Sequence, residues 1–127
     1  MKSSMTSHVV RAIISCGNDI LLGKRRDLPS EWDIPARNVV KGESYDDALK
    51  ICVKEQTGID ITIGSYLGGG KINCGRAARW YECFAKAKNG TPHGELEEII
   101  WVPKNKVIVQ CGEMVTSLWS KSIREYF

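Results

Sequence analysis

Apolar residues recur along this chain with two different periods, and the changes of period mark its elements. Over residues 9–15 they alternate, with Val10, Ala12 and Ile14 on one side, which predicts a strand. Gly17 and Asn18 then predict a tight turn. Residues 19–24, built on Ile20, Leu21 and Leu22, predict the returning strand of a hairpin. Residues 26–32, with Pro29, read as a loop.

The period then lengthens. Residues 44–57 predict a helix, with Tyr45, Ala48, Leu49 and Cys52 at helical spacing. Ser44 is the expected N-cap, and Asp47 three residues on gives an acidic variant of the capping box. Asp46 and Asp47 suit the positive end of the helix dipole. Gly58 stands where a helix ends in a left-handed residue.

Beyond it, residues 59–67 predict a strand that Gly68, Gly69 and Gly70 break. Residues 79–88 predict another strand. Asn89 and Gly90 open a longer loop, and the chain returns as a strand over 96–102. Residues 113–126 predict a closing helix, with Met114, Leu118, Trp119, Ile123 and Tyr126 as its core-facing stripe. Strands outnumber helices, so the expected fold class is α/β: a mixed β-sheet sandwiched between helices, in a single domain. That domain is expected over residues 7–127, behind a short N-terminal tail at 1–6.

Composition changes this picture little. A chain of 127 residues fits one domain. The formal net charge of +3 is far from a dense basic stripe, so nucleic acid is not the expected partner. Cys16, Cys52, Cys74, Cys83 and Cys111 form no C-x-x-C pair, and the two histidines are too few for a structural zinc site. Reduced thiols in a cytoplasmic protein are the expectation. No stretch approaches the roughly 20 apolar residues of a membrane span.

The chemistry is concentrated in residues 32–61, WDIPARNVVKGESYDDALKICVKEQTGIDI. This stretch resembles the box of the Nudix hydrolases, G-x5-E-x7-R-E-U-x-E-E-x-G-U, where U is a bulky aliphatic residue. Trp32, Ile34 and Pro35 match the approach to it, Glu43 the first glutamate, and Val53, Glu55, Gly58 and Ile59 its end. Residues 20–25 resemble the family's second strand, and residues 97–103 its glutamate-rich approach to a tryptophan strand. Four defining positions depart: Arg37 stands for the glycine, Ile51 for the arginine, and Cys52 and Gln56 for glutamates.

In the family, the carboxylates of this helix face hold divalent metal at a diphosphate. Positions 52, 55 and 56 lie at i, i+3 and i+4, and here they supply one carboxylate instead of three. Magnesium takes hard oxygen ligands, and a neutral thiol serves it poorly. One pair of unit charges at about 4 Å is worth about 4 kcal/mol at an effective dielectric near 20. Losing two carboxylates is therefore expected to slow the usual reaction by about a thousandfold or more.

The resemblance implies Glu55 and Glu43 as the catalytic pair. Glu55, Glu43 and Glu98 are the expected ligands of Mg2+ or Mn2+ if the protein is active, and Glu97 or Glu95 could supply an oxygen in place of Glu98. Arg25, Arg37 and Arg79 are the candidate ligand-binding residues, with Arg26, Lys41 and Arg76 as possible supplements. Trp32, Trp80, Tyr81 and Phe84 either stack a base or fill the core. Cys52 is not expected to be a nucleophile, because His8 and His93 are both distant in sequence. Three functions stay open. The chain is a hydrolase of reduced or altered activity on a nucleoside diphosphate linked to another group, a non-catalytic module binding a nucleotide or phosphorylated metabolite, or a homodimeric interaction scaffold.

Overall fold

The computed structural model describes residues 5–71 and 77–127, with side chains described from His8 to Gly70 and from Ala77 onward. Arg76 and Cys74 lie outside the described residues.

Among the described residues, seven strands form one mixed sheet. β1 (Met5–Cys16) runs through its middle and is apolar on both faces. It pairs in parallel with β6 (Ala77–Phe84), from His8 opposite Ala77 to Ser15 opposite Phe84. β6 pairs antiparallel with β5 (Thr62–Lys71). On its other side β1 changes neighbour. At Ser15 and Cys16 it meets β2 (Asp19–Arg25), as the hairpin reading expects. At Val9, Val10 and Arg11 it pairs instead with β4 (Ala36–Val40). β2 meanwhile takes β7 (Leu96–Pro103) and β3 (Leu28–Asp33) as partners. The sheet therefore forks between β2 and β4.

Each face of the sheet carries its own core. On one side Val10, Ala12 and Ile14 pack with Ala48, Leu49 and Val53 of α1 (Tyr45–Thr57). On the other, Ile13, Leu22 and Trp80 pack under Val107, Val115, Trp119 and Ile123 from the C-terminal helices. This is the expected sandwich. α1 also begins and ends as its sequence dictates: Ser44 Oγ accepts from the Asp47 amide at 3.1 Å. Gly58, at φ 75°, donates its amide to Lys54 O at 2.9 Å.

Besides β4, where no strand was expected, and β6, which ends at Phe84 and not at residue 88, three elements differ from the expectation. Residues 28–33 are not loop but the strand β3, a position at the edge of the sheet that tolerates Pro29. Gly68, Gly69 and Gly70 do not break β5; they pair with Trp80, Arg79 and Ala78. A Cβ on Gly69 would stand 2.9 Å from the Tyr66 hydroxyl, so the missing side chain makes room for that ring. The closing helix is instead three short ones, α2 (Val107–Cys111), α3 (Glu113–Thr116) and α4 (Lys121–Tyr126). Gly112, at φ 88°, ends α2, and Ser120 restarts the chain as the N-cap of α4. As a result Trp119 and Ile123 are buried, while Met114 and Leu118 are exposed.

Candidate functional site

The fork in the sheet separates two regions that the box residues and the C-terminal helices share. The first is the α1 face. Burial splits the expected trio of positions: Cys52 and Gln56 turn inward against the sheet, and Glu55 points outward with 62% of its side chain exposed. Burial pushes the Cys52 thiol up to about 12, so it is neutral at ordinary pH. Gln56 donates Nε2–H to Ala36 O at 2.9 Å, and its Oε1 is buried with no partner among the described residues. Ile51, which the box resemblance aligns with an arginine, is an exposed apolar side chain at 38%.

The retained carboxylates meet Arg37. This residue lies in β4 opposite Val10, with a negative φ, so the arginine sits on extended backbone free of left-handed strain. Its Nη1–H donates to Glu43 Oε1 at 2.5 Å, and its Nε stands 3.5 Å from Glu55 Oε1. Glu43 Oε1 also accepts the Val40 amide at 3.0 Å. The Arg37 hydrogen bond first, then the Val40 amide, holds the Glu43 carboxyl below the usual carboxylate range.

This donor set does not suit a hard divalent cation. One position is a protonated buried thiol and one is an amide whose nitrogen is committed to Ala36. The two carboxylates share a guanidinium. Among the described residues, no group of three or more His, Cys, Asp or Glu side chains is placed to hold a metal ion.

Glu98 lies on β7 opposite Lys24, whose Nζ is 3.7 Å from its Oε1. Glu95 instead borders a cleft of about 40 Å³ at the fork, together with Gln56, Gly23, Ala36 and Arg11. The loop that carries it is fixed to α1 by the His93 amide, which donates to Gln56 O at 2.9 Å.

The second region is a cavity of about 490 Å³ between the sheet and the C-terminal helices. Trp80 and Trp119 form its aromatic wall, their rings edge to face at 5.3 Å. Its polar end is Arg11 beside Asp33. The Arg11 guanidinium lies 4.5 Å over the Trp80 ring, and its Nε has no partner among the described residues. Leu28, Met114 and Leu118 add exposed apolar surface to the lining.

The expected ligand-binding arginines are therefore dispersed. Arg25 lines both cavities and pairs through two nitrogens with Asp27, at 2.8 and 2.6 Å. Arg37 serves the α1 face. Arg79 projects to the α1 side of β6, stacked at 4.4 Å over both Tyr45 and Tyr66 and bonded to the Tyr81 hydroxyl at 2.9 Å. Of the aromatic candidates, Trp80 reaches the large cavity, Tyr81 is core on the opposite face, Trp32 packs beside the C-terminal core and Phe84 is exposed. Arg11 was not among the candidates. Its signal was present: a single charge within an apolar strand, on the same side as Val9 and Ile13.

Comparison with known proteins adds the following. The model of the NUDIX domain matches residues 6–120. The low-salt glycan biosynthesis protein Agl8 of Haloferax volcanii is 39% identical over 61 residues, covering 46% of this chain and 39% of that protein's length. A NUDIX hydrolase from Nitrosomonas europaea superposes with a TM-score of 0.77 at 14% identity, over 98% of this chain and 73% of that one. An Ap4A hydrolase of C. elegans, solved as a binary complex, gives 0.76 at 16% identity, over 93% and 94%. At such identities the superpositions speak for the fold. Among the described residues, no helix is long and apolar enough to cross a membrane.

Proposed function

Because the chain belongs to the Nudix family, we propose that it binds a nucleotide-like phosphorylated molecule and turns it over slowly or not at all. The observation that carries this reading is the cavity of about 490 Å³, with tryptophans along one wall and Arg11 and Asp33 converging at one end. An apolar cavity with a few convergent polar groups is the usual form of a small-molecule site. Trp80 and Trp119 offer a wall for a planar base. Asp33, with 32% of its side chain exposed, offers acceptor oxygens beside the Arg11 cation, which suits a ring bearing an N–H donor.

Slow turnover follows from the α1 face. Its donor set is poor in free carboxylate oxygens, and magnesium chemistry depends on them. A nucleoside diphosphate linked to another group remains the ligand class. The relative from Haloferax volcanii is a glycan biosynthesis protein, so a nucleoside diphosphate joined to a sugar belongs in the panel.

A second reading, hydrolysis through a sparse metal site, is favoured by one observation: Glu95 borders the same cleft as Gln56. One experiment separates the two. Thermal unfolding is followed with nucleoside mono- and diphosphates and their sugar conjugates, and the same samples are assayed for phosphate or monophosphate release with magnesium or manganese. Stabilisation without release supports the binding module. Rapid release that Glu55→Gln abolishes establishes the hydrolase. No stabilisation by any nucleotide removes the reading altogether.

A further inference from the structure

Arg37 is the departure from the box that places a positive charge beside the carboxylates this helix keeps. It stands where the family has glycine, and it comes with the loss of two carboxylates rather than alone. Three elements bring the groups together: β4 supplies Arg37, the turn before α1 supplies Glu43, and the last turn of α1 supplies Glu55. One planar guanidinium spans both carboxylates, at 2.5 Å to Glu43 and 3.5 Å to Glu55. Glu43 is also fixed by the Val40 amide, so its carboxylate is not free to turn away. The pair is sheltered, with 21% of the Arg37 side chain and 13% of the Glu43 side chain exposed, so solvent screens it less than a surface bridge.

We propose that Arg37 is a built-in counter-ion for Glu43 and Glu55, taking the place of a divalent cation and keeping such cations off this helix. The physical case is a competition. A metal approaching Glu55 meets a fixed positive charge and gains one carboxylate that is already neutralised. To bind between the two it must displace a tethered side chain that has lost little freedom by staying. Against the box pattern, the chain lacks two carboxylates and the arginine at position 51, and places the guanidinium of Arg37 beside the carboxylates it keeps. The remaining two carboxylates would otherwise repel each other with nothing between them. The inference goes beyond the ligand reading, because metal binding alone decides it.

The experiment is a titration with Mn2+, read by electron paramagnetic resonance of the free ion, on the intact protein without nucleotide. The wild-type chain is expected to show no saturable site at submillimolar Mn2+. Arg37→Gly is expected to gain one, with affinity raised by at least about tenfold, or about 1.4 kcal/mol. The double variant Arg37→Gly with Glu55→Gln is expected to lose it again. A wild-type Mn2+ site that Glu55→Gln abolishes overturns the proposal, as does a folded Arg37→Gly that gains nothing. If Arg37→Gly fails to fold, Arg37→Gln keeps the strand side chain and takes its place. Separately, ADP is titrated against tryptophan fluorescence in EDTA and in millimolar magnesium. Failure of ADP to bind in both buffers counts against the nucleotide reading and leaves the Mn2+ result to judge Arg37.

Discussion

Gln56 donates its side-chain Nε2–H to the carbonyl oxygen of Ala36 at 2.9 Å, tying the last turn of α1 to the start of β4. Gln56, which the box resemblance aligns with a glutamate, is thus a structural strut. It is 7% exposed, and its position depends on having a donor that a carboxylate lacks.

Restoring the box glutamate is therefore expected to cost stability. In Gln56→Glu the Ala36 carbonyl loses its donor and faces a buried negative charge instead. A group left unsatisfied in this way costs about 1–3 kcal/mol. Urea unfolding at neutral pH is the measurement, and the deficit should shrink in mild acid as the new carboxyl takes up a proton. A variant as stable as the wild type at neutral pH would show that Arg11, across the same cleft, accepts the new charge.

The Arg37–Glu43 pair predicts the shape of the acid limb. Because Arg37 and the Val40 amide hold the folded Glu43 pKa below its unfolded value, Glu43 contributes stability above that unfolded value, near about 4.3. The contribution is lost as pH falls through the depressed folded value. Arg37→Gln should move the Glu43 pKa upward, back toward the ordinary range, and flatten this part of the stability curve. Carbon-13 titration of the Glu43 carboxyl, beside unfolding curves from neutral pH downward, reads both effects. An unchanged Glu43 titration would mean that the Val40 amide alone sets it.

Cys52 gives a prediction about reactivity. Its thiol is fully buried and pushed up to about 12, and Cys83 is shifted the same way to about 12 by the same cause. A thiol in that state is not a nucleophile at neutral pH. Alkylation with site assignment by mass spectrometry should therefore label Cys16, which is partly exposed, well before Cys52 or Cys83. Labelling of the two buried positions should track the unfolded population as urea is added. Rapid native-state labelling of Cys52 would reopen a catalytic role for it.

These features differ in how visible they were in sequence. α1 was legible because Ser44 and Gly58 are local signals that the structure uses as caps. β1 was legible as a strand from the alternation of Val10, Ala12 and Ile14, but its second covered face was not, because alternation by itself reads as one buried side. The C-terminal helices were not, because an apolar stripe at helical spacing passes across Gly112 and Ser120 without registering that each interrupts the helix. β3 was hidden by Pro29, which an edge strand accommodates. At the site, the small number of carboxylates on this helix face could be read directly. The use made of Arg37 could not, because pairing it with Glu43 and Glu55 depends on where β4 runs relative to α1. Arg11 was overlooked for a related reason: its cavity is closed by Trp119, a residue 108 positions further along, and only the folded chain brings them together.

The loop that carries Glu95 supplies a further test of how the cleft is held. Gly90 has φ 102°, outside the range that side chains readily adopt. A Cβ there would stand 2.9 Å from Thr57 O and 2.7 Å from Ile59 Cδ1. Thr57 O cannot yield easily, because it accepts the Thr91 amide at 3.0 Å while Gln56 O accepts the His93 amide at 2.9 Å. These two carbonyls belong to the end of α1, where the helix offers no amide partners, so the loop completes the helix. Gly90→Ala should therefore cost about 1–3 kcal/mol, the usual range for a strained backbone position. The Thr91 and His93 amides should exchange with deuterium faster. Gly17→Ala is the comparison: Gly17 also has a positive φ, 61°, but nothing lies within 4 Å of its added Cβ. It should carry only the conformational cost, about 1–2 kcal/mol, and leave the loop amides unchanged. If the two variants lose equal stability and exchange alike at Thr91 and His93, the close approach to Thr57 is not what anchors the loop. Glu95 would then owe its place beside Gln56 to β7 and to Arg26, whose amide donates to Glu95 O and whose Nε–H donates to Gly94 O, both at 2.9 Å.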